Sequence, residues 1–157
     1  MKGLVLFLLF AFPTAALAVP DVFDCRPVGV ADGDTFTCLD DNREQFRIRL
    51  HQIDAPEKSQ AFGQVAKQAL SRLIWHKRVT VRVWTTDRYG RLVAEVFADG
   101  NNVNKSMVAG GYAWAYRRYL KPADRAEYLR LEAAARAGRR GLWADAHPIN
   151  PADFRHR

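Results

Sequence analysis

Apolar and polar residues alternate in several short runs along the chain. Phe46, Ile48 and Leu50 are interleaved with Arg47 and Arg49, and Val79, Val81 and Val83 repeat the same period of two, the pattern of strands buried on one face. Pro27–Val30 and Thr35–Leu39 flank Asp32-Gly33, a dipeptide suited to tight hairpin turns. A further strand, Leu92–Ala98, is predicted after a turn at Asp87–Gly90. Between the third and fourth strands the period changes. Phe62, Val65, Ala66, Ala69, Leu70 and Leu73 form one stripe at helical spacing, predicting a helix over about Gln60–His76. A second helix is expected from Val103 to the glycines at 110 and 111, which favour helix termination. A third is expected over Ala123–Ala137, with Tyr128, Leu131 and Ala135 on one side and arginines on the other. The residues beyond Trp143 are polar, contain two prolines and read as a tail lying against the surface. Five strands with a helix after the third predict an α+β fold of the OB type, a five-stranded Greek-key β-barrel with about three helices.

Length and composition add compartment and charge. The 157 residues suit one domain with a sizeable core. A net charge of +7 favours polyanions, either nucleic acid or an anionic membrane surface, and is also compatible with a surplus that serves solubility. Lys2, the apolar run Leu4–Phe12 and Ala16-Leu17-Ala18 have the layout of a signal peptide over residues 1–18. The expectation is an exported protein, periplasmic or extracellular, with no membrane association after cleavage. The OB-type domain is then bounded at 23–146 and the tail at 147–157. Cys25 and Cys38 flank the first hairpin turn, so antiparallel pairing brings them close; an oxidising compartment would allow a cross-strand disulfide, and two free thiols are the alternative.

Three carboxylates stand at loop-like positions: Asp34 beside the first turn, and Asp54 and Glu57 within Ile53-Asp54-Ala55-Pro56-Glu57. Singly, each is explained by turn and capping preferences. Together, in a cationic chain, they call for a cation or an acid/base task. Arg49 lies on the polar face of the strand that feeds this loop, and Arg91 closes the turn Asp87-Arg88-Tyr89-Gly90-Arg91. Solvated surface residues are the ordinary reading of both; two planar donors clamping a phosphate are the sharper one.

These blocks, Asp32-Gly33-Asp34-Thr35, then Arg49 through Glu57, then Asp87 through Arg91, resemble the three signature blocks of the staphylococcal nuclease family in order and separation. Weaker similarity runs through Val103-Asn104, Gly111-Tyr112-Ala113-Trp114-Ala115-Tyr116 and Gly141-Leu142-Trp143, so that the resemblance covers roughly Asp24–Trp143. By that resemblance, Asp34, Asp54 and the backbone carbonyl of Ala55 match calcium ligands. The family often carries threonine where this chain has Ala55; a carbonyl ligand is indifferent to that change. Glu57 matches the general base, Arg49 and Arg91 the phosphate-contacting arginines. Tyr116 and Tyr119, with Arg117 competing in the alignment, lie near the nucleotide-stacking tyrosines, and Tyr89 is a further candidate for substrate contact.

The resemblance implies a single calcium ion, an endonuclease that cuts DNA and RNA, and products ending in 3′-phosphate. Oxygen-only ligands on a loop suit calcium better than magnesium. His51, a lone histidine at a strand end, is expected to be solvated or hydrogen-bonded rather than a zinc ligand. No stable protein partner is implied, and a monomer is expected.

Overall fold

In the computed structural model, which describes residues 21–156, the alternating strands close into a barrel. The signal-peptide reading of residues 1–18 lies outside the described residues. Strands β1 (Val22–Val30), β2 (Thr35–Leu39) and β3 (Gln45–Leu50) form an antiparallel meander. A two-residue strand, β4 (Ile53–Asp54), follows, then helix α1 (Gly63–Ile74). Strands β5 (Val79–Thr86) and β6 (Leu92–Ala98) form the second hairpin. The sheet order is β3-β2-β1-β5-β6, and a parallel pairing of β3 with β6, Ile48 opposite Leu92 through Leu50 opposite Ala94, joins its two edges. The result is a closed five-stranded barrel with helices, the OB-type α+β fold expected from the strand pattern.

After β6 come the short extension β7 (Asn101–Asn102), helix α2 (Val103–Ala109), and β8 (Trp114–Ala115), which pairs with β4. Helix α3 (Arg125–Ala137) and a four-residue helix α4 (Pro151–Phe154) complete the order. Helix α4 is one more than the sequence pattern indicates, because four residues are too few to show helical periodicity.

Inward residues of the strands, among them Phe36, Ile48, Leu50, Val79, Val81, Ala94 and Val96, fill the barrel, and Ala66, Leu70 and Ile74 of α1 pack onto the same core. Two expectations shift. Helix α1 begins at Gly63 rather than near Gln60, since residues 57–63 form turns in which Gln60 N–H bonds to Glu57 O and Gly63 N–H to Gln60 O, each at 2.9 Å. Val65, placed on the apolar stripe, is 40% exposed, and Ile74 is buried instead. Small residues, Gly63, Ala66 and Ala69, face the barrel, and this rotation of the helix allows close approach at the price of an exposed valine.

Strand β1 also starts earlier than predicted. Its first half pairs with β5 (Cys25 opposite Val79) and its second half with β2. A bulge separates Pro27 from Gly29, where proline has no N–H to give a ladder. Cys38 consequently stands opposite Pro27, not Cys25, and the disulfide that joins Cys25 to Cys38 runs diagonally, with a Cα–Cα distance of 5.8 Å. Both cysteines are fully buried.

Closing a loop of this length restricts the unfolded chain by about 3 kcal/mol. Urea unfolding in the presence of a reductant is therefore expected to show a stability lower by about that amount than under oxidising conditions. Coincident curves would show that the bridge does not stabilise the barrel.

Candidate active site

The site is assembled at one end of the barrel by the 31–34 turn, the end of β3 and the loop that leaves β4. Gly33 makes the assembly possible. A Cβ on it would lie 2.6 Å from the Ala66 Cβ and 2.7 Å from the Ala55 Cβ, so only glycine lets the first turn nest between α1 and the carboxylate loop. Gly63 plays the same part on the other side, where an added Cβ would strike the carbonyl oxygen of Glu57.

Asp34, next to that glycine, is buried and its carboxylate faces the β4 loop. Asp34 Oδ2 accepts from the Ala55 N–H at 2.9 Å, and Oδ1 accepts from the Thr35 hydroxyl at 3.0 Å. Asp54 is 1% exposed. Between the two carboxylates lies Arg49. Its Nη2 is 3.3 Å from Asp34 Oδ2 and 3.1 Å from Asp54 Oδ1, and its Nη1 donates to the carbonyls of Leu50 and Ile53 at 2.7 and 3.0 Å. The strand alternation that directs Arg49 away from the core thus turns its guanidinium inward over the loop.

Glu57 is reached through an arginine that the sequence did not single out. Arg155, which follows α4, donates Nη2 to Asp54 Oδ2 at 2.8 Å, and Nη1 to Asp54 Oδ1 at 3.2 Å and Glu57 Oε1 at 2.6 Å. Gln60 ties this segment to the loop, accepting from Glu57 N–H at 3.1 Å and donating to the Ile149 carbonyl at 2.7 Å. Among 24 Lys and Arg residues, no spacing or neighbour marks Arg155, and no local pattern could have found it.

Burial is the main force on the titration of this corner. It raises the Asp54 carboxyl above its ordinary value. Asp32, whose Oδ1 accepts from the Asp34 N–H at 3.0 Å, is pushed up to about 6, first by burial and then by the charge of Asp34. Such a crowd of desolvated carboxylates is eased by a cation. Among the described residues no three His, Cys, Asp or Glu side chains converge as metal ligands. Asp34 and Asp54 do converge, on a single guanidinium nitrogen. An oxygen-only pair of this kind fits a hard divalent ion whose remaining ligands are backbone carbonyl and water.

The other candidates fall in two places. Arg91 stands immediately before β6, whose Val93 pairs with Arg49 across the β3–β6 seam. By alternation Arg91 shares the face of Val93 and therefore of Arg49, while its Nε donates to Asp87 Oδ2 at 2.8 Å. Among the described residues no hydrogen bond or ion pair joins it to Asp34, Asp54 or Glu57. Tyr89 is 62% exposed, with the guanidinium carbons of Arg88 and Arg91 at 4.8 and 5.5 Å from its ring centre. Tyr116 and Tyr119 meet edge to face at 4.8 Å. They follow β8, the partner of the strand that carries Asp54, and Tyr116 N–H bonds to the Gln52 carbonyl.

Buried polar residues hold this frame. Glu132 of α3 accepts from the Ala115 N–H at 2.7 Å and from Arg136 at 2.9 Å, fixing β8. Asn104 is fully buried and donates to the carbonyls of His51 and Ala94. Gln52, in a left-handed conformation, accepts from Lys121 N–H and donates to Asp124. His51 departs from expectation: it is buried, lies parallel to Trp84 at 5.5 Å, and its Nδ1 has no hydrogen-bond partner.

The family description "Staphylococcal nuclease homologue" matches residues 47–145, and the chain belongs to that family. It is 41% identical over 156 residues to a Haemophilus influenzae protein named "Uncharacterized endonuclease", covering 99% of this chain and 86% of that one. An Escherichia coli O157:H7 protein of the same name is 42% identical over 162 residues, covering 100% and 99%. A Shigella flexneri protein named "Micrococcal nuclease" is 42% identical over 150 residues, covering 88% and 85%.

Burial lowers the His51 pKa from 6.5 to about 4, with the charge of Lys121 adding to it. Because the folded state resists protonation, stability is complete above about pH 6.5 and declines as pH falls towards 4. The decline attributable to this residue is up to about 3 kcal/mol. His51→Phe is expected to flatten the slope of unfolding free energy over that window; an unchanged slope would place the acid sensitivity elsewhere.

Proposed function

We propose that this protein is an exported, calcium-dependent endonuclease that hydrolyses phosphodiester bonds of DNA and RNA and leaves 3′-phosphates. The observation that carries the reading is the convergence of Asp34 and Asp54 on the Arg49 guanidinium, with Glu57 joined to Asp54 through Arg155. Family membership and the endonuclease and nuclease names of its relatives support the reaction class.

Asp34, Asp54 and the Ala55 carbonyl would hold the ion, which, when bound, polarises the phosphoryl oxygens. Glu57, half-buried at the mouth of the site, removes a proton from the attacking water. The new P–O bond forms as the bond to the 5′ oxygen breaks, and that oxygen departs with a proton from solvent. Arg49 and Arg91, on one face of the barrel seam, donate to the phosphoryl oxygens as charge accumulates on them. Tyr116, Tyr119 and Tyr89 offer ring faces to bases or sugars. Recognition then rests on phosphate and stacking, so neither the sugar nor the base sequence needs to be read. Unpaired strands, whose base faces are free, are the favoured substrate. The residue 1–18 pattern and the buried disulfide support an oxidising, exported destination.

Plasmid DNA and RNA are expected to be cut in calcium and left intact with a chelator; retardation on a gel without cutting would reduce the protein to a binding module. Glu57→Gln is expected to lower turnover at least ~10²-fold, the scale of one lost transition-state group. Arg91→Lys should be nearly as harmful as Arg91→Ala, because an ammonium cannot supply a planar fork. Wild-type rates for Glu57→Gln with the fold intact would refute the assignment of the base.

A further inference from the structure

We propose that Arg155 is a built-in counter-ion of Asp54 and Glu57 that competes with the divalent cation for Asp54 Oδ2, so that the 147–156 segment must release Asp54 before the metal can bind. The inference rests on the calcium reading above and adds to it a competition between one side chain and the ion.

The geometry assigns different duties to the two arginines on Asp54. Arg49 belongs to a barrel strand, its side chain is 13% exposed, and two backbone carbonyls hold its Nη1. It cannot leave without opening β3. Arg155 is 36% exposed and makes its three bonds in this site to carboxylate oxygens alone. Asp54 Oδ2 has Arg155 as its partner, whereas Oδ1 is shared with Arg49. Departure of Arg155 therefore frees one Asp54 oxygen outright and releases Glu57 Oε1 in the same movement. Those are the two functions the reaction needs, a metal ligand and a proton acceptor.

The segment is held firmly enough to be a defined state and lightly enough to leave. Its anchors are the Gln60–Ile149 bond and the buried Pro151, while inside the segment Asn150 Oδ1 caps α4 by accepting from Ala152 N–H at 2.9 Å. Gln60 bonds to the Glu57 backbone with its other end, so seating of the segment and placement of the Glu57 loop are linked. A monovalent guanidinium and a divalent ion competing for one carboxylate give a site whose metal affinity depends on segment release, and by reciprocity a segment whose docking depends on the metal.

The test is calcium titration of the full chain by calorimetry, comparing wild type with Arg155→Gln, together with hydrogen exchange at the Phe154 and Arg155 amides, which bond to the Asn150 and Pro151 carbonyls. Arg155→Gln is expected to tighten calcium binding about ten- to a hundredfold, the equivalent of the charge-assisted bonds removed. In wild type, saturating calcium is expected to raise exchange at those amides. Equal or weaker calcium binding by Arg155→Gln, or amides that stay protected in saturating calcium, overturns the gate. If wild type binds calcium and cuts plasmid while the variant gains nothing, the gate alone fails. If neither protein binds calcium, the calcium reading fails and takes the gate with it.

Discussion

A guanidinium buried between two carboxylates is the constraint around which this end of the molecule is built. Arg49 meets Asp34 and Asp54 and bonds to the backbone on both sides of the turn that separates β3 from β4. Without it the buried Asp34 would lose its ion-pair partner while facing a second buried carboxylate, a defect worth about 3–5 kcal/mol when a buried pair is broken. The pairing also sets the path of the chain. Keeping the Leu50 and Ile53 carbonyls on one nitrogen brackets the His51–Gln52 turn that leads into β4.

The barrel supplies rigidity to that arrangement and the helices supply its walls. Closure by the β3–β6 seam puts Arg49 and Arg91 on one face although 41 intervening residues form a helix and two strands. Gly33 and Gly63 let the three loop segments approach at distances no side chain would permit. Behind the site, Glu132, Asn104 and Gln52 satisfy the backbone groups that irregular loops would otherwise leave unpaired. The geometry at the rim thus depends on hydrogen-bonded polar residues behind it.

The placement of Arg155 ties the helical segment after α3 to the same carboxylates. Buried carboxylates carry a high electrostatic cost, and a nearby guanidinium lowers it. Asp54 Oδ2 is taken up by this guanidinium, so the state of the carboxylate and the docking of the segment are linked.

Much of this was legible in the residues. Period-two runs located β3 and β5, the Asp32-Gly33 and Asp87–Gly90 turns located the hairpins, and the resemblance of three short blocks to a nuclease family pointed to Asp34, Arg49, Asp54, Glu57 and Arg91 as a set, of which Arg91 makes no contact with the others. Such features are local: side-chain alternation, turn preference and charge act over a few residues and are written directly in the order of amino acids. Tertiary structure alone decided the diagonal course of the Cys25–Cys38 bridge, the burial of His51, the exposure of Val65 and the arrival of Arg155 at Asp54. Each depends on a bulge, a helix rotation or a contact between residues about a hundred positions apart. No local pattern encodes those, because they are settled only when the whole barrel closes and its elements compete for the same space.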